Sequence, residues 1–242
     1  MSLIITGKNT IIEAIKAGRK IYEIYVLEKT NEEIIAFATK NNIKYKELNK
    51  KAIKELLPSN NQGVGALVND YEYKDLDKII AKEGNKLVVI LDSLEDPHNL
   101  GAILRSADAF DVDAVIIPKN RSVQLNQTVA KVSTGAIEYV NVVQVTNLTQ
   151  TIKKLKKEGF WVVGTDAEGT QTIHEIDPNM NIALVIGSEG KGIGRLVKDN
   201  CDFVVKIPMT GHVNSLNASV SAALVIYDIY NRRGWLVGLS TL

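Results

Sequence analysis

The stretch KLVVILD, Lys86–Asp92, decides the fold of the larger part of the chain. Its five central residues are all apolar, with no alternation between apolar and polar positions, which is typical of a strand buried on both faces of a parallel sheet. The segment that follows, NLGAILRSADAF, has apolar residues at i, i+3, i+4 and i+7, the spacing of one helix face. These residues are Leu100, Ile103, Leu104 and Ala107. We therefore expect a buried strand followed by a helix, with Arg105 off the apolar face.

Strand-like and helix-like segments alternate on both sides of this stretch. Further strands are predicted for AVIIP, YVNVVQV, FWVVGTD, IALVIG and FVVKIP, and further helices for NLTQTIKKLKKEG and NASVSAALVIYDIYNRR. Residues 86–242 are thus predicted to form a parallel α/β domain with ligand sites at the C-terminal ends of its strands. Residues 1–72 alternate in the same way, with helices in NTIIEAIKAGR, NEEIIAFATKNN and KKAIKELL and strands in EIYVLE, IKYKEL and GVGALV. They predict a small separate α/β unit, joined by a polar linker, residues 73–85, that is partly helical near Leu76.

Composition excludes several classes of protein. The 242 residues carry a net charge of +1, so any contact with a polyanion must depend on local patches. Apolar runs are far shorter than the ~20 residues of a membrane span, and the chain opens without a signal-peptide pattern. We expect a cytoplasmic protein with no membrane segment. The single cysteine and the three scattered histidines show no metal-ligand spacing, so no metal is expected.

Polar residues are concentrated in three segments that each follow a predicted buried strand. The segments are DSLEDPHNLGAILR (Asp92–Arg105), IGSEGKGIG (Ile186–Gly194) and IPMTGHVNSLNAS (Ile207–Ser219). Because parallel strands end at one edge of a sheet, these junctions are expected to converge there. Each has a simpler explanation, in which Asn99 and Asn217 only cap helices and a loop acid is only solvated. That explanation is weaker when it must account for all three junctions at one edge of the sheet.

The second junction does not fit a phosphate loop. A carboxylate, Glu189, stands among its glycines and would repel an anion. The spacing also fails, because Ile193 follows Gly192 where a phosphate loop needs lysine, and Arg195 replaces the third glycine of the dinucleotide pattern. A nucleotide-phosphate enzyme is therefore a remote alternative.

The three junctions, taken in order, resemble the three motifs of the SpoU (TrmH-like) RNA ribose 2′-O-methyltransferases. The resembling stretches are NLGAILRSADAFDVDAVIIP, IALVIGSEGKGIG and VKIPMTGHVNSLNASVSAALVIYDIY. Residues 1–72 resemble the ribosomal-protein-like substrate-binding domain of the members that act on ribosomal RNA. Asn61 is a departure, because many members carry a histidine before the Gln-Gly pair. The resemblance covers nearly the whole chain and is closest to enzymes that methylate a guanosine ribose of 23S rRNA.

This resemblance implies a trefoil knot in residues 86–242, a homodimer, and S-adenosyl-L-methionine as cofactor. It assigns Gly187, Ile207 and Leu216 to the cofactor pocket. It assigns five polar residues to catalysis and substrate positioning: Asn99, Arg105, Glu189, Ser215 and Asn217. Arg105 is either the general base or a charged anchor for the target phosphate. Glu189 is expected to hold Asn99 or Arg105 by hydrogen bonds, or to complement the sulfonium charge.

We expect the N-terminal unit to recognise the RNA target. Lys8, Arg19 and Lys20 near the turns of that unit, and Arg121 near the C-terminal site, are the candidate RNA contacts. A tRNA 2′-O-methyltransferase is one alternative, although members of that kind generally lack residues like 1–72. A non-catalytic protein that binds or protects rRNA is the other, and the intact set of polar motif residues speaks against it.

Overall fold

The structure is a computed structural model that describes residues 2–59 and 61–234, and it divides the chain into two compact units. One unit consists of the chain up to Glu72 together with Leu125–Tyr139. The other consists of Tyr73–Gln124 and the described chain from Val140 onward. The sequence had grouped Leu125–Tyr139 with the C-terminal domain, whereas its contacts group it with the N-terminal residues.

The first unit is built on a sheet whose described strands are β1 (Ser2–Thr6), β2 (Ile21–Leu27), β3 (Tyr45–Leu48) and β4 (Val64–Asn69). Their order is β1-β4-β2-β3, with β4 antiparallel to both neighbours and β2 parallel to β3. Helices α1 (Lys8–Lys16), α2 (Glu32–Lys40) and α3 (Lys50–Leu56) lie between the strands in sequence. The small α/β unit predicted from the sequence is confirmed, and β1 is an addition to it.

The second unit is built on strands that all pair in parallel. Its described strands are β5 (Leu87–Leu91), β6 (Ala114–Pro118), β7 (Val142–Val145), β8 (Trp161–Thr165), β9 (Gln171–Thr172), β10 (Ile182–Ile186) and β11 (Phe203–Lys206). The order is β7-β6-β5-β10-β8-β11-β9. Every residue of β5 and of β10 is buried, as continuous apolar runs predict for central parallel strands.

Helices complete both units. They are α4 (Leu76–Ile80), α5 (Pro97–Ala109), α6 (Gln127–Val132), α7 (Leu148–Lys157), α8 (Arg195–Lys198) and α9 (Ala218–Arg232). All four residues of the predicted apolar stripe on α5 are buried, while Arg105 is exposed. The predicted linker contains α4, whose Leu76 and Ile79 pack into the hydrophobic core of the second unit. The predicted strand YVNVVQV is shorter than expected, because its first residue follows the 3-10 helix Ala136–Glu138 and pairing begins only at Val142.

A buried ion pair joins the two chain segments of the first unit. Arg19 Nη1 donates to Glu138 Oε1 at 2.6 Å, and each side chain is only 6% exposed. The Arg19 guanidinium also lies 3.8 Å from the centre of the Tyr71 ring. Burial raises the pKa of Glu138, although Arg19 opposes that shift. The expectation that Arg19 contacts RNA is therefore wrong, because its guanidinium is enclosed within the protein and already paired.

Candidate active site

The three polar junctions start from one edge of the second sheet. Strands β5 and β10 pair in parallel with Leu91 opposite Ile186, so the first two junctions begin side by side. Strand β11 belongs to the same parallel sheet and is separated from β10 by β8. The expected convergence at the C-terminal edge is confirmed in this respect.

The segment IGSEGKGIG forms a tight hairpin at this edge. Ser188 and Gly192 exchange backbone hydrogen bonds of 3.1 and 2.9 Å, which leaves Glu189, Gly190 and Lys191 at the tip. Gly190 and Gly192 have φ values of +81° and +64°, a region that glycine enters without a steric cost. A Cβ atom at Gly187 would lie 2.2 Å from the carbonyl carbon of Gly192. Glycine is required at position 187 because the hairpin packs on itself there.

A cavity of about 350 Å³ lies between this hairpin, the end of β8 and the segment that follows β11. Such a volume is within the range of small-molecule sites, about 300–1,000 Å³. Five of the eight residues that the sequence singled out line it: Gly187, Glu189, Ile207, Ser215 and Leu216. The structure thus brings together all three residues expected to hold the cofactor.

Asn217 connects the second and third junctions. Its side-chain oxygen caps α9 by accepting a hydrogen bond from the backbone N–H of Ser219 at 2.9 Å. Its amide nitrogen donates to Glu189 Oε2 at 3.4 Å. The capping role predicted for Asn217 is confirmed. The expectation that Glu189 holds Asn99 or Arg105 is wrong, because its carboxylate accepts a hydrogen bond from Asn217 and from neither of those residues within the described chain.

Asn99 and Arg105 lie on α5 and do not line the cavity. The cap of α5 is Asp96, which accepts from the N–H of His98, and Asn99 occupies the first turn. Asn99 is 7% exposed, yet its side chain forms no hydrogen bond with any residue that the structure describes. Arg105 is exposed and forms neither a hydrogen bond nor an ion pair within the described chain. Both side chains therefore retain unused hydrogen-bonding capacity.

The sequence missed the acidic wall contributed by the end of β8. Asp166 and Glu168 line the cavity. Asp166 is fixed by Lys198 Nζ at 2.8 Å and by the backbone N–H of Glu168 at 2.9 Å. Burial opposes the ionisation of Asp166, but these hydrogen bonds outweigh it and hold the pKa of Asp166 below its ordinary value. The segment DAEG directly follows β8, whose Val162, Val163 and Gly164 are buried, and this signal could have identified Asp166.

The lining of the cavity combines apolar and acidic side chains. Ile186, Val205, Ile207, Met209 and Leu216 supply an apolar surface that suits a flat heterocycle. Asp166, Glu168 and Glu189 outnumber Lys191, the one lysine in the described lining. A cavity of this composition suits a nucleoside that carries a positive charge better than it suits a phosphate ester.

Comparison with known proteins agrees with this chemistry. The model of the SpoU rRNA Methylase family matches residues 86–227, and the model described as RNA 2′-O ribose methyltransferase substrate binding matches residues 4–74. The chain belongs to the SpoU rRNA methylase family. Methyltransferases of this family use S-adenosyl-L-methionine, so the protein is an S-adenosyl-L-methionine-dependent RNA methyltransferase.

Similar proteins extend the match over almost the whole chain. A Bacillus subtilis protein, YacO, named as a candidate TrmH family tRNA/rRNA methyltransferase, is 48% identical over 237 residues, which cover 95% of each chain. The SpoU methyltransferase AviRb from Streptomyces viridochromogenes, solved with the cofactor AdoMet, matches with a TM-score of 0.84 at 23% identity and covers 96% of this chain and 90% of its own. The A. aeolicus TrmH/SpoU tRNA modifying enzyme, at 26% identity and a TM-score of 0.57, covers 64% of this chain and 79% of its own.

The described residues contain no helix that is long and apolar enough to cross a membrane. Within the same residues, no group of three or more histidine, cysteine or acidic side chains is arranged to hold a metal ion.

Proposed function

We propose that the protein transfers the methyl group of S-adenosyl-L-methionine to a ribose 2′-hydroxyl, that of a guanosine in 23S rRNA. The observation that carries the proposal is the cavity at the C-terminal edge of the second sheet. It unites residues from the second and third SpoU-like motifs with an acidic wall.

The cavity is the proposed cofactor site, in which the cofactor supplies an electrophilic methyl group on a sulfonium. Ile207 and Leu216 would hold the adenine by apolar contact, and the close packing of Gly187 against Gly192 fixes the hairpin that lines the cavity. Glu189, which is oriented by its hydrogen bond with Asn217, would complement the positive charge of the sulfonium. Ser215 adds a hydroxyl at the same wall.

We assign the RNA side of the reaction to α5. The Arg105 guanidinium is exposed and unpaired within the described residues, so it can bind an RNA phosphate without first breaking a contact. A charged guanidinium placed there orients the ribose and stabilises the alkoxide that forms as the 2′-hydroxyl loses its proton. Asn99 is 7% exposed and its amide has no hydrogen-bond partner among the described residues, and it is proposed to position the ribose.

The choice of rRNA over tRNA depends on the first unit. The match to the substrate-binding model covers residues 4–74, which form most of this unit. The tRNA modifying enzyme matches 64% of this chain, about the share that the second unit occupies. A cleft of the first unit is lined by Lys8, Asn31 and Gln62, and we propose that it contacts the RNA. Asn61 does not replace the usual histidine as a contact, because its side chain closes the turn on Pro58 and Gly63.

Methyl transfer from labelled cofactor to purified 23S rRNA and to bulk tRNA tests the proposal. We expect label in 23S rRNA, recovered as 2′-O-methylguanosine after nuclease digestion, and no label in tRNA. Label that appears only in tRNA would support the tRNA enzyme, whereas cofactor binding with no transfer to either RNA would support a non-catalytic rRNA-binding protein. The Arg105→Ala variant should lose at least two orders of magnitude in rate, since it removes a positioned charge. Full activity of that variant would remove Arg105 from the mechanism.

We also propose that the protein is a homodimer. Val220, Leu224 and Tyr227 lie on one face of α9 at i, i+4 and i+7, and each is almost half exposed. An apolar stripe of this kind is typical of a helix that packs against a partner. Sedimentation should show a dimer for the wild type and a monomer for Leu224→Lys. Leu196→Lys, which changes a leucine of α8 that is 71% exposed against 47% for Leu224, is the control and should remain dimeric. A monomeric wild type would refute the proposal. The trefoil knot and the cytoplasmic location implied by the sequence stay predictions.

A further inference from the structure

Asp92 is a buried carboxylate at the C-terminal end of β5 that has no part in the assignments above. Its side chain is enclosed, with 7% of the residue exposed. Asp92 Oδ2 accepts a hydrogen bond from the backbone N–H of Gly194 at 2.8 Å, and Oδ1 accepts one from Ser93 Oγ at 3.0 Å. It forms no ion pair with any residue among those described.

A buried carboxylate without a cation beside it is costly unless hydrogen bonds compensate for the water it has lost. The contact with Gly194 is one of these compensating bonds, and it constrains both partners. A Cβ atom at Gly194 would lie 3.1 Å from Asp92 Oδ2. Gly194 has an ordinary φ of −60°, so its backbone conformation does not require glycine. Glycine at this position is explained by the close approach of the carboxylate.

This contact joins the first junction to the second. Gly194 follows the hairpin whose Gly192 packs against Gly187, and these two glycines form one wall of the cavity. The backbone N–H of Asp92 also donates to Ile186 O at 2.9 Å, immediately before Gly187. Asp92 thus forms one hydrogen bond on each side of the hairpin, with Ile186 before it and with Gly194 after it.

We propose that Asp92 is a positioning residue for the methyl donor: it holds the hairpin Ser188–Gly192 in the conformation that forms the wall of the cofactor cavity. The inference rests on the proposed assignment of that cavity to S-adenosyl-L-methionine. Asp92 acts through the backbone of Gly194 and does not line the cavity itself.

The same strand offers a matched control at its other end. Asp113 Oδ2 accepts a hydrogen bond from the backbone N–H of Leu87 at 2.8 Å, at the N-terminal edge of the sheet. Neither of these residues lines the cavity. Asp113→Ala removes a carboxylate-to-backbone hydrogen bond from β5, together with the ion pair of Asp113 with Lys86 Nζ at 3.3 Å, without touching the hairpin.

The experiment is calorimetric titration of each purified variant with S-adenosyl-L-methionine alone, with a thermal unfolding curve for each. We expect Asp92→Ala to raise the Kd roughly tenfold, because the hairpin that lines the cavity loses a hydrogen bond between the Gly194 N–H and a charged group. Asp92→Asn should stay within about twofold of the wild type, since its amide can accept from Gly194 and donate to Ser93. Asp113→Ala should lower the unfolding temperature comparably and leave the Kd unchanged.

Gly194→Ala perturbs the same contact through Gly194, and it replaces Asp92→Ala as the test if that variant fails to fold. Its Cβ atom would lie 3.1 Å from Asp92 Oδ2, so the carboxylate must shift by a few tenths of an ångström, and the Kd should rise while Asp92 itself is intact. A Kd equal to that of the wild type in whichever of these two variants folds would overturn the inference. So would an equal increase in Asp113→Ala, because the effect would then be general destabilisation. A wild-type protein that binds no S-adenosyl-L-methionine would instead overturn the assignment of the cavity, and the inference with it.

Discussion

The packing of Gly187 against Gly192 gives the sharpest prediction on the cofactor site. In Gly187→Ala, the new methyl group would lie 2.2 to 2.4 Å from three backbone atoms, namely the carbonyl carbon and oxygen of Gly192 and the nitrogen of Ile193. Comfortable carbon contacts are about 3.5–4.0 Å, so the hairpin must move by more than an ångström. Overpacking typically costs about 1–3 kcal/mol. We expect the upper end of that range, because backbone atoms cannot rotate away.

A loss of about 3 kcal/mol corresponds to a Tm lower by roughly 6–12 °C in a chain of this length. Circular dichroism melting measures this change, and calorimetric titration with S-adenosyl-L-methionine should show binding weakened by more than tenfold. Gly211→Ala is the matched control, because its Cβ atom would meet nothing within 4 Å and its φ is not positive. It should change the unfolding free energy by less than about 0.5 kcal/mol. Wild-type stability and cofactor affinity in Gly187→Ala would refute the packing argument.

Three further substitutions test other contacts. Lys198→Met should lower the unfolding free energy by about 0.5–1 kcal/mol at pH 7. Because the hydrogen bonds from Lys198 and Glu168 hold the pKa of native Asp166 below its ordinary value, this difference should disappear in pH titrations as acid protonates native Asp166. Asn217→Ala should lower the unfolding free energy by about 1 kcal/mol, because it removes the cap of α9, and should also abolish methyl transfer. Asn217→Ser should restore the stability in melting assays but not the methyl transfer in activity assays. Glu138→Ala should lose about 3–5 kcal/mol in urea unfolding, because it leaves Arg19 buried and unpaired, and a loss below 1 kcal/mol would contradict the buried pair.

Local pattern was sufficient to predict much of the fold. The uninterrupted apolar run of β5 and the helical spacing on α5 are short-range signals, and both are confirmed. Short elements such as β9 and α8 were not predicted, because two to four residues are too few to show a period of hydrophobic residues. The sequence also did not predict that Leu125–Tyr139 belongs to the first unit. It depends on contacts such as that between Arg19 and Glu138, which are 119 residues apart in sequence.

The candidate site was likewise predicted only in part from the sequence. The resemblance to SpoU enzymes named Gly187, Ile207 and Leu216, and the structure places all three at one cavity. Sequence reasoning assigned the wrong partner to Glu189, because the path of the segment between β11 and α9 decides which amide reaches it. It also missed Asp92, whose importance comes from a single contact with a backbone N–H that no side-chain pattern reports.

The central claim is methylation of a guanosine ribose in 23S rRNA. Mass-spectrometric mapping of 2′-O-methylated nucleotides tests it most directly, with rRNA from cells that contain the protein, lack it, or carry only Arg105→Ala. The account predicts one 2′-O-methylguanosine in 23S rRNA that is absent from both the deletion and the Arg105→Ala cells and returns with the wild-type protein. Identical 23S rRNA maps in all three, with a 2′-O-methyl group lost from a tRNA or from no RNA, would contradict it.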